Sequence, residues 1–232
     1  MKAYAITIEG NAISETATNN LISSSLAVNN DIDLKPYRAI TPSLVDSVMA
    51  SEGMIAWNYP WVKQETDFAS GLIKNPYRTA DPKARVACAL SHYSLWKKCF
   101  LDDTPILILE HDSVFTHKLN YDNILSTKYQ IVGINDPRGA TRRSGVYHKM
   151  VQDNPEAVQR VPAIDDPKVP QGLAGNSAYI IKPTGARAMI DLVKVYGLWP
   201  NDAIMCRQLF TLLGQTRKYY TRVQGTTSTT TL

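Results

Sequence analysis

The chain has 232 residues, of which 44% are hydrophobic and 20% charged, and its net charge is +4 at neutral pH. This composition is typical of a globular protein with a sizeable core and excludes a disordered chain. The apolar runs are far shorter than the roughly 20 residues that a membrane-spanning helix needs, so we expect no transmembrane segment.

The N-terminus and the cysteines indicate the compartment. The first nine residues carry one positive charge and too short an apolar stretch for a secretory signal. Cys88, Cys99 and Cys206 are odd in number and have no metal-ligand spacing, which is typical of a reducing environment. We therefore expect a cytoplasmic protein.

The first 80 residues predict alternating strands and helices. Residues 4–8 are β-branched or aromatic at alternate positions, which predicts a strand that stops at Glu9 and Gly10. A helix capped by Ser14 follows, and residues 37–40 predict a second strand. Pro42 then opens a short helix. Residues 57–81 hold prolines and a glycine among aromatics, which indicates an irregular surface connection.

The middle of the chain gives the clearest signals. Asp81 as N-cap, Pro82 at the first helical position and Lys97 and Lys98 in the last turns predict a helix. It is apolar over so much of its circumference that we expect it to be buried. The continuous apolar run over residues 105–110 predicts a central strand covered on both faces.

The second half is less regular. Residues 129–134 and 177–181 predict strands, and between them about 40 residues show no clear periodicity, as in a functional or disordered loop. Thr184 is expected to cap a helix, and residues 203–213 predict another. The tail is nearly all Thr and Ser, which predicts a flexible segment over residues 226–232.

The alternation of strands and helices predicts an α/β fold with a mainly parallel central sheet flanked by helices. Ligands of such sheets bind beyond the carboxyl ends of the strands. That rule points to Glu9 and Gly10, to the triplet from Glu110 to Asp112, and to Asn135 and Asp136. At the end of the first strand, Ile8 and Glu9 are the candidate donor-binding residues.

The acidic triplet suggests a metal site. Two carboxylates flanking one residue at the end of a buried strand can hold a divalent cation that bridges the phosphates of a nucleotide sugar, and their oxygens suit Mn²⁺ or Mg²⁺. His111 reaches such a cation only if the backbone turns, so we interpret it as a packing or supporting residue. The triplet alone is a weak signal, because acids also pair freely in loops, as Asp102 and Asp103 do.

Two longer segments resemble glycosyltransferase family 25, which includes lipooligosaccharide sugar transferases and collagen galactosyltransferases. They are ARVACALSHYSLW over residues 84–96 and ILILEHDSVF over residues 106–115. The strand over residues 177–181 and the Pro200-x-Asp202 sequence also fit. His111 stands where the family usually has an acid and Ala84 where glycine is frequent, which affects the expected metal affinity more than the fold.

The resemblance implies a GT-A-like domain over residues 1–225. It implies transfer of a hexose, commonly galactose or glucose, from a UDP-sugar to a hydroxyl of a glycan or glycolipid acceptor, with inversion. In this reading Glu110 and Asp112 hold the metal and Asp202 is the general base; capping of the next helix is an equal alternative for Asp202.

Three residues of the predicted buried helix have two readings each. Ser91 and His92 orient the donor or support the metal-bearing strand, and the alternative for His92 is a hydrogen-bonded core histidine. Arg85 pairs with the diphosphate, or else forms an exposed salt bridge.

Two other functions stay open. In a nucleic-acid base glycosyltransferase, the basic residues Arg138, Arg142, Arg143 and Lys149 would bind phosphates, although a solvated loop explains them equally well. A non-catalytic nucleotide-sugar-binding protein is suggested by His111 within the triplet, because a fold alone does not establish activity.

Overall fold

A computed structural model describes residues 1–53, 56–77, 79–140 and 143–225. The tail predicted over residues 226–232, and Arg142 of the basic cluster, therefore lie outside the described residues. The elements in chain order are β1 (Lys2–Thr7), α1 (Ala12–Ala27), β2 (Asp33–Arg38), a 3₁₀ turn (Pro42–Leu44), α2 (Val45–Glu52), β3 (Glu65–Asp67), β4 (Leu72–Lys74), α3 (Pro82–Leu101), β5 (Ile106–Glu110), β6 (Ser113–Phe115), α4 (Tyr121–Leu125), β7 (Ile131–Gly133), α5 (Ser144–Asp153), β8 (Val158–Arg160), β9 (Ala178–Ile181), α6 (Pro183–Tyr196), α7 (Asn201–Ile204), β10 (Leu213–Thr216) and β11 (Thr221–Val223).

The central sheet has seven strands in the order β2-β1-β5-β9-β7-β10-β8. The pairs β1–β2, β1–β5 and β7–β10 are parallel, whereas β9 runs antiparallel to both of its neighbours and β8 antiparallel to β10. Strands β1, β2, β5, β7 and β10 thus share one direction. The predicted α/β class with a mainly parallel sheet is confirmed, in the form of a mixed sheet.

Hydrophobic side chains cover both faces of this sheet, because successive residues of a strand point to opposite sides. In β5, Ile106 and Ile108 join the larger cluster, which includes α3 and α6, whereas Leu107 and Leu109 join the cluster on the other face. These four side chains are fully buried. The continuous apolar run therefore forms the central strand that the sequence predicts.

Helix α3 is held at its start and buried along its length. The Asp81 side chain accepts a hydrogen bond from the backbone N–H of Lys83 at 2.9 Å, and Pro82 occupies the first turn. Its sides pack against α6 and α2. The predictions of its N-cap and of its burial are both confirmed.

Several local predictions are wrong. The cap of α1 is Asn11, whose side chain accepts from the Ser14 backbone, while the Ser14 hydroxyl accepts from the Ile8 N–H. The cap of α6 is Lys182, without a side-chain hydrogen bond, so Thr184 caps nothing. The second strand begins at Asp33, earlier than predicted.

Three longer segments also differ from the prediction. Residues 57–81 contain the β3–β4 hairpin and bury Tyr59 and Leu72 in the core. The segment after Asn135 contains α5 and β8 instead of a continuous loop, and residues 203–213 contain only the end of the short helix α7 before β10. None of the helices within the described ranges has the length and hydrophobicity to cross a bilayer.

Candidate active site

A cavity of about 310 Å³ opens where the carboxyl ends of β1, β2 and β5 meet. Such crevices are the usual ligand sites of open α/β sheets. Its walls come from β1, the segment after β2, helix α3, the β5–β6 turn and the residues around α7. The polar side chains that line it are Thr41, Arg85, Cys88, Ser91, His92, Glu110, His111, Asp112, Asn176, Asn201 and Asp202.

Helix α3 presents one polar stripe to this cavity. Arg85, Cys88 and His92 are three and four residues apart, a spacing that brings side chains onto one helical face. His92 is fully buried, yet both of its ring nitrogens have partners: Nδ1 lies 2.8 Å from the Tyr179 hydroxyl and Nε2 lies 3.2 Å from Glu110 Oε1. His92 is therefore a core histidine that also holds a cavity carboxylate.

The hydrogen bonds continue from His92 into the core. The indole N–H of Trp96 donates to the Tyr179 hydroxyl at 2.8 Å, so that hydroxyl can donate onward to Nδ1 of His92. The remaining ring proton is then on Nε2 and is donated to the Glu110 carboxylate. This chain fixes Glu110 from α3 and β9.

Glu110 is stabilised as a carboxylate. Burial alone would raise its pKa, but the hydrogen bond from His92 and the positive charge of Arg85 act against this effect, and the pKa lies below its usual range. The side chain keeps 29% exposure. At neutral pH the cavity thus contains a fixed negative charge at the end of β5.

The backbone turns sharply after Glu110, at His111 and Asp112, before β6 begins. Gln224 holds this turn: its side-chain amide donates to the carbonyls of His111 and Ser113 at 3.1 and 3.0 Å. The Ser113 hydroxyl donates to the Ser177 carbonyl at 2.7 Å. The turn is therefore anchored from β11 and β9.

Because of this turn, His111 also faces the cavity. It forms a hydrogen bond with the Ile6 backbone, and burial lowers its pKa despite the opposing charge of Glu110. From the sequence, His111 is expected to reach a cation only if the backbone turns, and the backbone does turn at this position.

Asp112 has an unsatisfied carboxylate oxygen. Its Oδ1 is buried and has no hydrogen-bond partner among the described residues. Burial and the negative charge of Glu110 raise its pKa to about 7. A buried carboxylate oxygen without a partner costs on the order of 1–3 kcal/mol or more, so Asp112 is arranged for a partner from outside the chain.

Glu110 and Asp112 supply carboxylate oxygens, the ligand type that hard divalent cations prefer. A cation near both would neutralise their repulsion and give the unpaired Oδ1 a partner. Cys88, His92 and Glu110 also have ligand atoms within 4.8 Å of one another. A thiol and an imidazole favour softer metals, and both His92 nitrogens are already used, so this second group fits Mn²⁺ or Mg²⁺ less well.

Asp202 lies across the cavity, in the short helix α7. Its Oδ1 accepts a hydrogen bond from the Tyr77 hydroxyl at 2.6 Å. Solvent reaches Asp202 through the cavity, but protein surrounds its carboxyl group closely enough that desolvation raises its pKa against the effects of Tyr77 and Arg85. Pro200 occupies the N-cap position of α7, so Asp202 does not cap this helix.

Arg85 contributes positive charge between the acids. It is half-buried, its guanidinium lies 5.2 Å from the ring centre of Tyr77, and its charge acts on both Glu110 and Asp202. The position inside the cavity is compatible with the predicted contact to a diphosphate.

The other residues that the sequence singles out fall into two groups, those at the cavity and those away from it. Ile8 lines the cavity, whereas Glu9 lies outside it and pairs with Arg38 at 2.9 Å on the exposed surface. The Ser91 hydroxyl accepts from the Ile40 N–H and donates to the Ala87 carbonyl, so Ser91 supports the cavity wall. Asn135 accepts a hydrogen bond from the Thr221 hydroxyl in β11, and Asp136 pairs with Arg138. Neither residue lines the cavity, because β9 separates β7 from β5.

Asn176, Tyr77 and Gln224 were missed as site residues. Asn176 is 8% exposed and lines the cavity, and neither atom of its amide has a partner among the described residues. Its only signal in the sequence is its place between Gly175 and the strand β9. In the structure, Gly175 has a φ of 78°. Tyr77 and Gln224 come from distant parts of the chain, and no local pattern indicates them.

The described basic residues of the predicted phosphate-binding cluster are paired with acids. Arg138 contacts Asp136 at 2.6 Å and Arg143 contacts Asp165 at 3.2 Å. Lys149 contacts Asp153 at 2.5 Å. Outside Arg142, the cluster therefore offers little uncompensated positive charge.

Comparison with known proteins gives one family. The profile described as glycosyltransferase family 25 (LPS biosynthesis protein) matches residues 62–205, more than half of the chain. No curated protein sequence matches. Among solved structures, mouse xyloside xylosyltransferase 1 in its apo form is similar, with 10% identity, a TM-score of 0.44, and coverage of 91% of this chain and 82% of the mouse chain.

Proposed function

The chain belongs to glycosyltransferase family 25, and from this premise we propose that it moves a hexose from a UDP-sugar to an acceptor hydroxyl, with inversion and with the help of a divalent cation. We include the GT-A type, one catalytic domain over residues 1–225 and a glycan or glycolipid acceptor in this proposal. The family is described as one of lipopolysaccharide biosynthesis proteins, which favours such an acceptor.

The unpaired Oδ1 of Asp112, beside the fixed charge of Glu110, carries the proposal. Mn²⁺ or Mg²⁺ at these two carboxylates would neutralise the charge that develops on a leaving nucleoside diphosphate. Arg85, on the facing turn of α3, is placed to contact the same diphosphate. The unpaired amide of Asn176 offers a donor and an acceptor for sugar hydroxyls.

Asp202 is the proposed general base. The acceptor oxygen forms a bond to the anomeric carbon while the bond from that carbon to the diphosphate oxygen breaks, and the electron pair leaves with UDP. The proton of the acceptor hydroxyl passes to the Asp202 carboxylate. The hydrogen bond from Tyr77 fixes Oδ1 and so orients the other oxygen. Attack from the side opposite the leaving group inverts the configuration.

The test is a panel of UDP-sugars, with and without Mn²⁺, followed by donor hydrolysis and melting temperature. Metal-dependent stabilisation together with slow hydrolysis is expected. Asp112→Ala should lose the metal-dependent stabilisation and keep its fold, because its buried Oδ1 forms no hydrogen bond with any residue that the structure describes. Normal transfer by this variant would overturn the metal assignment.

Each alternative function predicts a different result. Binding without hydrolysis would favour a non-catalytic nucleotide-sugar-binding protein. Salt-sensitive retention of DNA would favour a nucleic-acid base glycosyltransferase, which the ion pairs of Arg138 and Arg143 make less favourable. We place the reaction in the cytoplasm, since the three cysteines are free thiols and suit a reducing compartment.

A further inference from the structure

We propose that a second cavity, which meets the first at Asp202, binds the acceptor, and that this acceptor is a neutral hexoside. The inference rests on the proposed function and deepens it. The cavity has a volume of about 730 Å³ and is lined by residues 75–77, by Tyr59, Arg143 and Tyr147, and by the segment over residues 162–174. Its volume lies within the range of about 300–1,000 Å³ that is usual for small-ligand sites.

Asp202 lines both cavities. It is the only residue, within the described part of the chain, that lines both of them. Tyr77 lines the second cavity and donates its hydroxyl proton to Asp202 Oδ1 at 2.6 Å. A general base in an inverting transfer must contact the acceptor hydroxyl while the donor lies beyond it, and a position shared by two cavities meets this requirement.

The wall of the second cavity is held in place by hydrogen bonds and close packing. The side-chain oxygen of Gln171 accepts from the backbone N–H groups of Ile164 and Asp165 at 2.6 and 3.1 Å, and its amide donates to the Asp165 and Asp166 carbonyls at 3.1 and 2.9 Å. Gly172 packs against the Asp202 carbonyl so closely that a Cβ there would lie 2.6 Å from this oxygen. The wall is therefore fixed relative to the proposed base.

The charges of the cavity favour a neutral ligand. Among its described lining residues, the charged side chains are Arg143, Asp165 and Asp202, and the first two form an ion pair at 3.2 Å. Within the described part of this lining, no cation is left over for an acidic or phosphorylated acceptor. The tyrosine rings and the prolines at positions 76, 162 and 170 provide apolar surface for the C–H face of a pyranose, and the exposed side-chain amide of Asn75 offers hydrogen bonds to its hydroxyls.

The test compares Val169→Trp, which fills the second cavity, with Val195→Trp, the same exchange at an exposed position of α6. UDP-galactose and UDP-glucose serve as donors, and p-nitrophenyl β-galactoside and β-glucoside as acceptors. Val169→Trp should raise the acceptor KM by about tenfold or more and leave the donor KM and the rate of donor hydrolysis without acceptor unchanged. Val195→Trp should leave all of these values unchanged.

An unchanged acceptor KM in a folded Val169→Trp variant would overturn the inference. If that variant does not fold, Asn75→Trp, on the exposed segment that lines the same cavity, takes its place. A wild-type protein that hydrolyses the donors but transfers to neither hexoside would overturn the acceptor class alone. A wild-type protein that neither binds nor hydrolyses any UDP-sugar would instead overturn the proposed function.

Discussion

Asp112 carries a negative charge that its surroundings disfavour. Its pKa is raised to about 7 by burial and by Glu110, from a usual value near 3.9 in an unfolded chain. Between these two values the unfolded state releases the proton and the folded state keeps it, so rising pH lowers the contribution of Asp112 to stability, and the full loss is reached above pH 7. Without metal, the ionised side chain is a destabilising group.

Asp112→Asn should therefore stabilise the metal-free protein more at pH 8 than at pH 5. Each unit of pKa shift corresponds to about 1.4 kcal/mol, and each kcal/mol to about 2–4 °C in Tm for a chain of this size. Thermal unfolding with EDTA at both pH values measures the difference. The pH-independent effect of the amide is the same at pH 5 and pH 8 and therefore cancels in the comparison. An equal change in Tm at the two pH values would contradict the raised pKa of Asp112.

The hydrogen bond from Tyr77 to Asp202 tunes the proposed base. Desolvation raises the pKa of Asp202 and the Tyr77 bond acts against it, so Tyr77→Phe should raise this pKa further. A base must be deprotonated to act, and the acid limb of the pH profile of kcat should therefore move to higher pH. A variant with lower kcat but the wild-type pH profile would show that Tyr77 acts only through packing.

Asp202→Asn is the companion variant at the same site. Loss of a general base lowers the rate of transfer by about 10²–10⁴-fold. The affinity for UDP, measured calorimetrically with Mn²⁺, should remain, because the proposed donor contacts are at Glu110, Asp112 and Arg85. Transfer at the wild-type rate would remove Asp202 from the mechanism.

At the scale of elements, the chain Trp96–Tyr179–His92–Glu110 joins α3, β9 and β5. Tyr179→Phe would leave the indole N–H and His92 Nδ1 without their partner in the core, and each unpaired buried group costs about 1–3 kcal/mol. We expect a lower Tm and, because Glu110 is less firmly oriented, weaker UDP binding with Mn²⁺. Tyr121→Phe, on the half-buried first residue of α4, is the control and should change neither value.

Gly172 sets the distance between the second cavity and α7. A Cβ at this position would lie 2.6 Å from the carbonyl oxygens of both Asp202 and Met205, so Gly172→Ala must displace backbone, at a cost of about 1–3 kcal/mol. The rate of sugar transfer should fall together with the Tm, because the displaced backbone moves Asp202. Gly145→Ala in α5 is the matched control: its Cβ meets nothing within 4 Å, and alanine there should be neutral or stabilising by up to about 1 kcal/mol.

The sequence predicted the elements whose signals are local. Helix α3 has an N-cap aspartate followed by proline, and β5 is a continuous apolar run, so both were found. Helix α5 buries only Ser144, Tyr147 and Val151, too few for a clear period. Strand β10, with the sequence LGQT, is buried only because it lies between β7 and β8, which is a property of the assembled sheet.

The same distinction applies to the site. Glu110 and Asp112 follow a strand that the sequence identifies, so their place at the edge of the sheet could be predicted. The position of β9 between β5 and β7 has no local signature, and it separates Asn135 and Asp136 from the cavity. Tyr77, which is 125 positions from its partner Asp202, comes into the site only through tertiary packing.

For the whole molecule, the two hydrophobic clusters share the strands of one sheet. Alternate residues of β5 belong to opposite clusters, so neither cluster can be lost without exposing the other. We therefore predict that the chain unfolds in one cooperative transition, with equal calorimetric and van't Hoff enthalpies. Two separate transitions would contradict the proposal of one domain over residues 1–225.

Binding at the sheet edge should shift this entire transition. The cavity takes its walls from β1, β5, α3 and α7, elements from both halves of the chain, so a ligand there stabilises the common folded state. At a UDP concentration of 100 times its Kd, with Mn²⁺ present, the gain is about 2.7 kcal/mol, or about 5–11 °C in Tm at 2–4 °C per kcal/mol. Asp112→Ala should remove this shift while the unfolding of the unliganded protein stays cooperative. A ligand that moves only part of the heat-absorption peak would instead place the site on a separately folding unit.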